Sequence, residues 1–224
     1  MTGDLFADHA EPYRAPQPIA PGAAVLRGFA LPEAERLIQG VSAVIAAAPL
    51  RHLVTPNGQT MSVAMSNCGP LGWTSDRHGY RYTDRDPLSS QPWPAMPDGF
   101  LDLAQRAAQE AGFADFAPNA CLINRYQTGA RMGLHQDRDE GGPAGDFTPP
   151  IVSISLGLPA VFLFGGGQRN NPTTRWPLAH GDVVVWGGPA RLAFHGVAPL
   201  KEGRHPQLGA QRMNLTFRCV QRAH

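Results

Sequence analysis

The residues best placed to do chemistry together are a histidine and an aspartate separated by one position, in His135-Gln136-Asp137. On extended backbone the side chains at i and i+2 leave the same face, so this imidazole and carboxylate can grip one metal ion. A third ligand must come from elsewhere, and His195, 58 residues beyond Asp137 in Phe194-His195-Gly196, can supply it. Two histidines and one carboxylate of this kind form a facial set that holds Fe(II) and leaves its other positions open. A His-x-Asp pair alone is a weak signal that also arises by chance, so the rest of the chain has to decide.

Two further patterns bear on chemistry. In Leu122-Ile123-Asn124-Arg125-Tyr126, the period of 2 puts Asn124 and Tyr126 on one strand face. That face either looks into solvent or, if buried, needs polar partners. In 212–219, Met213, Leu215, Phe217 and Cys219 make an apolar face, and Arg212, Asn214, Thr216 and Arg218 make the opposite one. The polar face either meets water or lines a pocket for a dianion. Six residues of flat strand span ~20 Å, so both arginines reach one small ligand only if the strand curves or their side chains converge.

The elements that must carry these groups follow from periodicity and punctuation. Short strands are expected over 121–127, 151–156, 160–164, 182–186, 192–197 and 213–220, a rhythm that points to a β-sandwich or jelly roll. Upstream, 1–22 reads as an irregular arm, 23–29 as a strand and 31–48 as a helix with Pro32 in its first turn. A strand is expected over 60–66. The stretch 69–97 holds Trp73, Tyr80, Tyr82 and Trp93 and reads as a long ordered loop too broken for regular elements, a class that is usually functional. Asp98 is expected to cap a second helix that Gly112 closes.

Composition bounds the answer without choosing it. With 224 residues, 42% of them hydrophobic, the chain can bury a sizeable core, and 25 Gly with 22 Pro favour turns over a helical bundle. A formal net charge of +1 neither proposes nor excludes a nucleic-acid partner. All but one of the 19 Lys and Arg residues are arginine, the exception being Lys201. Three scattered cysteines with no C-x-x-C argue against a disulfide scaffold or structural zinc and for a reducing compartment. The N-terminus lacks the apolar core of a signal peptide, and no run approaches the ~20 apolar residues that span a bilayer, so the cytoplasm is expected and a membrane is not.

Together the motifs resemble the AlkB family of Fe(II)- and 2-oxoglutarate-dependent dioxygenases, which repair alkylated nucleic-acid bases, and most of all its bacterial DNA-repair members. The resemblance covers almost the whole chain: Leu5-Phe6-Ala7, 60–65, Gly72-Trp73, Trp93-Pro94-Ala95-Met96-Pro97, 121–126, 135–140, 151–159, 180–188 and 214–218. It implies a mainly β, α+β chain forming a single catalytic domain over 1–224. Its core would be a double-stranded β-helix, or jelly roll, over 116–222, and a nucleotide-recognition lid of helices, strands and loops would occupy 23–115. The iron ligands would be His135, Asp137 and His195, and the 2-oxoglutarate contacts Asn124, Tyr126, Arg212, Asn214 and Arg218. Arg212 would pair with the distal carboxylate, and Arg218 would lie nearer the iron. Substrate contacts would fall on Trp73, Tyr80, Tyr82, Asp139, Arg169, Met61 and Met65.

The implied reaction consumes Fe(II)-bound O2 and 2-oxoglutarate to hydroxylate an N-alkyl group of a flipped base, releasing formaldehyde from methyl lesions. The implied partner is alkylated single- or double-stranded DNA, acted on by a monomer. The alternatives are the same chemistry mainly on RNA, and a non-catalytic jelly-roll module that binds a metal or a small acid. One departure is the Gly-rich segment 141–148, which looks longer than is usual at this place.

Overall fold

The computed structural model describes residues 13–141, 145 and 147–221. The Leu5-Phe6-Ala7 stretch and four residues of the Gly-rich segment 141–148 lie outside the described residues.

The chain opens with a hairpin, β1 (Gln17–Ala20) and β2 (Ala23–Leu26). The irregular arm therefore ends sooner than expected, because 17–20 finds an edge-strand partner in β2. A 3-10 turn over Leu31–Glu33, with Pro32 in it, leads into α1 (Ala34–Ala47), which buries Leu37, Val41 and Val44 at helical spacing. Two strands follow, β3 (Arg51–Val54) and β4 (Thr60–Cys68). The stretch expected to be irregular then forms a hairpin, β5 (Gly72–Asp76) and β6 (Gly79–Thr83). Its strands carry too few apolar positions to show alternation. Helix α2 (Asp98–Glu110) has Pro97 at its N-cap and no side-chain cap, so Asp98 is its first helical residue rather than its cap. Gly112, at φ 88°, closes it as expected.

The second half is almost all strand: β7 (Ala120–Gln127), β8 (Met132–His135), β9 (Ile151–Gly157), β10 (Ala160–Phe164), β11 (Thr174–Leu178), β12 (Val183–Trp186), β13 (His195–Val197) and β14 (Gln211–Arg218). Eight strands make the larger sheet, in the order β1-β2-β12-β9-β14-β7-β4-β3, and the smaller sheet runs β11-β10-β13-β8. The sheets pack as a jelly-roll sandwich.

The larger sheet is covered on both faces. Cys121, Ile123, Ile154, Met213, Leu215 and Phe217 face α1 and α2 in one cluster with Leu37, Phe100 and Leu103. Leu122, Tyr126, Val184 and Trp186 join Phe162, Phe164 and Val197 of the smaller sheet in a second cluster. β14 lies between β9 and β7 and the smaller sheet covers its polar face, so Arg212, Asn214, Thr216 and Arg218 are all buried. Of the two readings left open by the sequence, the one in which this face meets water is set aside.

Candidate metal and cosubstrate site

The smaller sheet carries the metal-ligating groups. β8 and β13 are antiparallel neighbours with His135 directly opposite His195, and Asp137 lies in the loop just past β8. Ligand atoms of His135, Asp137 and His195 all come within 4.8 Å of one another. His135 Nε2 is 3.6 Å from Asp137 Oδ1, and His195 Nε2 is 3.9 Å from Asp137 Oδ2. Both imidazoles are oriented from behind, each with its Nδ1 at a backbone carbonyl: Gly133 O at 2.9 Å and Ala193 O at 3.0 Å. A carbonyl only accepts, so each Nδ1 carries the proton and each Nε2 presents its lone pair to the cluster. Gly196 allows the close pairing of these strands, since a Cβ there would stand 2.7 Å from the Met132 carbonyl oxygen.

The electrostatics favour a cation. Burial, and then the neighbouring His135, push the His195 imidazole down to about 4, so it is neutral at pH 7, the form able to ligate a metal. Burial works against the Asp137 charge, but Arg218 and the two imidazoles outweigh it and hold the carboxyl below its ordinary range. Arg218 donates through Nε and Nη2 to Asp137 Oδ2, at 3.0 and 2.9 Å. For Arg218 the cost of burial is likewise exceeded, chiefly by Asp137, and its pKa lies above the ordinary arginine value.

The larger sheet supplies the polar wall opposite. Asn124 and Tyr126 of β7 pair across the ladder with Asn214 and Arg212 of β14, so four of the expected cosubstrate residues form one block. Asn214 Nδ2 donates to Ser153 Oγ at 2.8 Å, and Arg212 Nη2 donates to Ser155 Oγ at 2.9 Å. Among the described residues, the buried Arg212 Nε and Nη1 meet no hydrogen-bond partner of good geometry, the Tyr126 ring lies 5.0 Å from the guanidinium, and burial pulls the Arg212 pKa below the ordinary value. A buried guanidinium with such donors can receive a carboxylate. The two arginines of β14 thus have different tasks: Arg218 is engaged by Asp137, and Arg212 remains available.

The expected substrate residues are only partly gathered. Trp73 of β5 donates its indole N–H to Asp139 Oδ2 at 2.8 Å, and its ring stacks on Tyr80 of β6 at 5.6 Å between centroids. Tyr82 donates to Glu140 Oε1 at 2.7 Å. Arg169 lies in the loop after β10, its guanidinium 5.7 Å from the ring of Phe194, next to His195. Met65 is in the core beside Leu122 and Tyr126, with Met61 at the edge of that cluster.

Sequence reasoning missed Glu140 and Arg191. Glu140 is buried, takes Arg191 Nη2 on Oε2 at 3.2 Å, and also receives the Tyr82 hydroxyl. Arg191 further donates to the carbonyls of Asp137 and Pro149, each at 2.9 Å, and lies 5.5 Å from the Phe147 ring. Charged loop residues are normally solvated, and no spacing marks these as buried.

Residues 22–218 match the model of the 2OG-Fe(II) oxygenase superfamily. The alpha-ketoglutarate-dependent dioxygenase AlkB of Escherichia coli K12 is 57% identical over 215 residues, 96% of each chain. The chain belongs to the AlkB family of 2OG-Fe(II) oxygenases. An AlkB homolog from Caulobacter vibrioides is 46% identical, over 93% of this chain and 92% of its own. The solved structure of OsALKBH1, 27% identical, superposes with a TM-score of 0.76 over 91% of this chain and 99% of that one.

As an AlkB-family enzyme the protein uses Fe(II), 2-oxoglutarate and O2, and the geometry fits that set. Three ligand atoms converge with their lone pairs free, and a buried arginine with unused donors stands on the facing sheet. Family membership sets aside the non-catalytic binding module. No helix among the described residues is long and apolar enough to cross a membrane.

Proposed function

We propose that this protein is a monomeric cytoplasmic enzyme that reverses alkylation damage in DNA by oxidative N-dealkylation. The observation that carries the reading is the Trp73–Asp139 hydrogen bond. It joins an aromatic platform to the loop that holds the metal carboxylate, two residues after Asp137. The names of relatives point the same way: a human homologue is named nucleic acid dioxygenase ALKBH1, at 33% identity over 53% of this chain and 30% of its own.

In this reading the parts of 23–115 outside the larger sheet, among them the β5–β6 hairpin, supply the lid, and 116–222 together with the sheet strands β1 to β4 form the oxidising core of one catalytic domain. His135, Asp137 and His195 hold iron. Asn124, Tyr126, Arg212, Asn214 and Arg218 receive 2-oxoglutarate, with Arg212 taking its distal carboxylate and Arg218 lying nearer the iron. Arg218 fixes the orientation of Asp137. Fe(II) with O2 and 2-oxoglutarate supplies the oxidising power that hydroxylates an N-alkyl carbon.

The lesion must leave the base stack to be reached. Trp73 and the exposed face of His135 stack on the flipped base, worth ~1–3 kcal/mol. Asp139 offsets the positive charge that N-alkylation can place on the ring. Tyr80, Tyr82 and Arg169 hold base edges or phosphate, and Met61 and Met65 support the pocket wall.

The test is a mass-spectrometric repair assay on methylated and etheno bases in matched DNA and RNA strands. Formaldehyde release from methylated DNA that requires Fe(II) and 2-oxoglutarate is the expected result. Full turnover by Asp137→Ala would sink the assignment, and faster turnover of RNA would move the substrate to RNA.

A further inference from the structure

β5 pairs with β6 along one edge, with Trp73 opposite Tyr82, and among the described residues no strand ladder joins β5 itself to the larger sheet, although Leu71, just before it, bridges to Ala120 of β7 and donates its N–H to Asn119 O at 3.1 Å. Its attachment to that sheet includes side-chain hydrogen bonds. Asn67, near the end of β4, is buried and turns its amide onto the backbone of Trp73. Trp73 N–H donates to Asn67 Oδ1 at 3.0 Å, and Asn67 Nδ2 donates to Trp73 O at 2.9 Å. A carboxamide has the donor and acceptor of a peptide group, so this pair imitates one residue of a missing strand. Ser75 Oγ makes a second attachment, donating to Val54 O at 2.7 Å.

The neighbourhood is shaped around this contact. A Cβ on Gly72 would stand 2.8 Å from Asn67 Cβ and 2.4 Å from the Trp93 indole, so glycine there lets β5 approach Asn67. Polarity sets the amide orientation: one partner is an N–H and the other a carbonyl, so a flipped amide would lose both bonds. With its backbone fixed at both polar atoms, Trp73 has its side chain to adjust, and that side chain reaches Asp139 and Tyr80.

The geometry points to Asn67 as a positioning residue for substrate binding, which acts by fixing the backbone of Trp73 beneath the flipped base. This rests on the reading of Trp73 as the stacking residue. An Asn67→Asp substitution keeps the acceptor but turns an oxygen toward the Trp73 carbonyl. Asn67→Ala removes both bonds with no new charge. Both variants should raise the KM for a methylated oligonucleotide roughly tenfold, with kcat changed at most about twofold, because mispositioning here weakens binding rather than chemistry.

A second readout does not depend on turnover. In 1H–15N spectra the indole signal of Trp73, identified by its loss in Trp73→Phe, should shift or broaden in both Asn67 variants while the Trp176 and Trp186 signals hold. The stacking reading is checked in parallel with Trp73→Ala. If Trp73→Ala raises KM and neither Asn67 variant does, the inference about Asn67 is overturned alone. If Trp73→Ala leaves KM unchanged, the stacking reading falls and takes this inference with it. A fall in kcat at unchanged KM, or the loss of all indole signals together, overturns the inference in favour of a purely structural role.

Discussion

His135 and His195 share a metal but not an environment. The His135 side chain is 38% exposed and that of His195 only 6%. An exposed ring face next to the open side of a metal site can meet a base, and an enclosed one cannot. Without metal, His135→Ala should therefore weaken binding of a methylated oligonucleotide several-fold, on the scale of one lost stacking contact, whereas His195→Ala should leave it unchanged. With metal supplied, both should cut formaldehyde release by about 100-fold or more. Equal oligonucleotide affinity of the two metal-free variants would refute the double role of His135. Arg212→Met should act elsewhere. Deleting one partner of a buried charge pair costs about 2–5 kcal/mol, so the KM for 2-oxoglutarate should rise at least about 30-fold while Mn(II) affinity holds.

At the level of elements, the segment after β6 is tied to the larger sheet by a charge pair, as β5 is by an amide. Arg51 of β3 donates through both terminal nitrogens to the Asp86 carboxylate at 2.5 Å, and its guanidinium lies 5.9 Å from the Trp93 ring. The Arg51 hydrogen bonds, working against burial, lower the Asp86 carboxyl from 3.8 to about 2. A depressed folded-state pKa means that the pair stabilises the fold fully above the ordinary value and loses that effect as pH falls through the folded one. The Tm of Arg51→Met should therefore lie below wild type at pH 6, with the gap closing between about pH 4 and 2. A gap that does not change with pH would show that Arg51 acts through packing alone.

Gly196→Ala tests the other sheet. Its Cβ would meet backbone carbonyl oxygens of Met132 and Gly133 at 2.7 and 3.1 Å, atoms that cannot swing aside. Overpacking of this kind costs about 1–3 kcal/mol, and here it should spread β8 from β13 and weaken Mn(II) binding along with Tm. An unchanged Mn(II) affinity would contradict this.

These same elements show what the sequence made legible. Six strands of the second half were expected close to where they lie, because their apolar runs are bounded by turn residues. The faces of β7 and β14 could be assigned by parity alone. Whether the polar face of β14 meets water could not, because that depends on β9 and β7 flanking it and on a second sheet covering it. The β5–β6 hairpin was missed because its residues contribute little to a core and so show no apolar alternation. Glu140 and Arg191 were missed for a related reason: their burial depends on partners 51 residues apart in the chain.

For the whole molecule, the metal-ligating triad belongs to the smaller sheet and its loop, and the proposed cosubstrate residues to the larger one. Bound together, metal and cosubstrate should brace the two sheets against separation. A ligand at 100 times its Kd stabilises by about 2.7 kcal/mol, and each kcal/mol moves the Tm of a chain this size by about 2–4 °C. Mn(II) with 2-oxoglutarate should thus raise the Tm by roughly 5–10 °C. His195→Ala should lose most of the rise, and Arg212→Met only the part due to 2-oxoglutarate. A full rise in His195→Ala would place the metal elsewhere.

The division of labour between the sheets also bears on inheritance. On the proposed function, substitutions on β7 and β14 would retune the acid that is consumed, and substitutions on β5 and β6 the base that is admitted, while the ligands at the β8–β13 seam stay as they are. Lineages could then diversify substrate and cosubstrate by separate, independently selectable steps. A chimera that takes its lid hairpin from one relative and its sheets from another should keep the iron chemistry of the second and the base preference of the first.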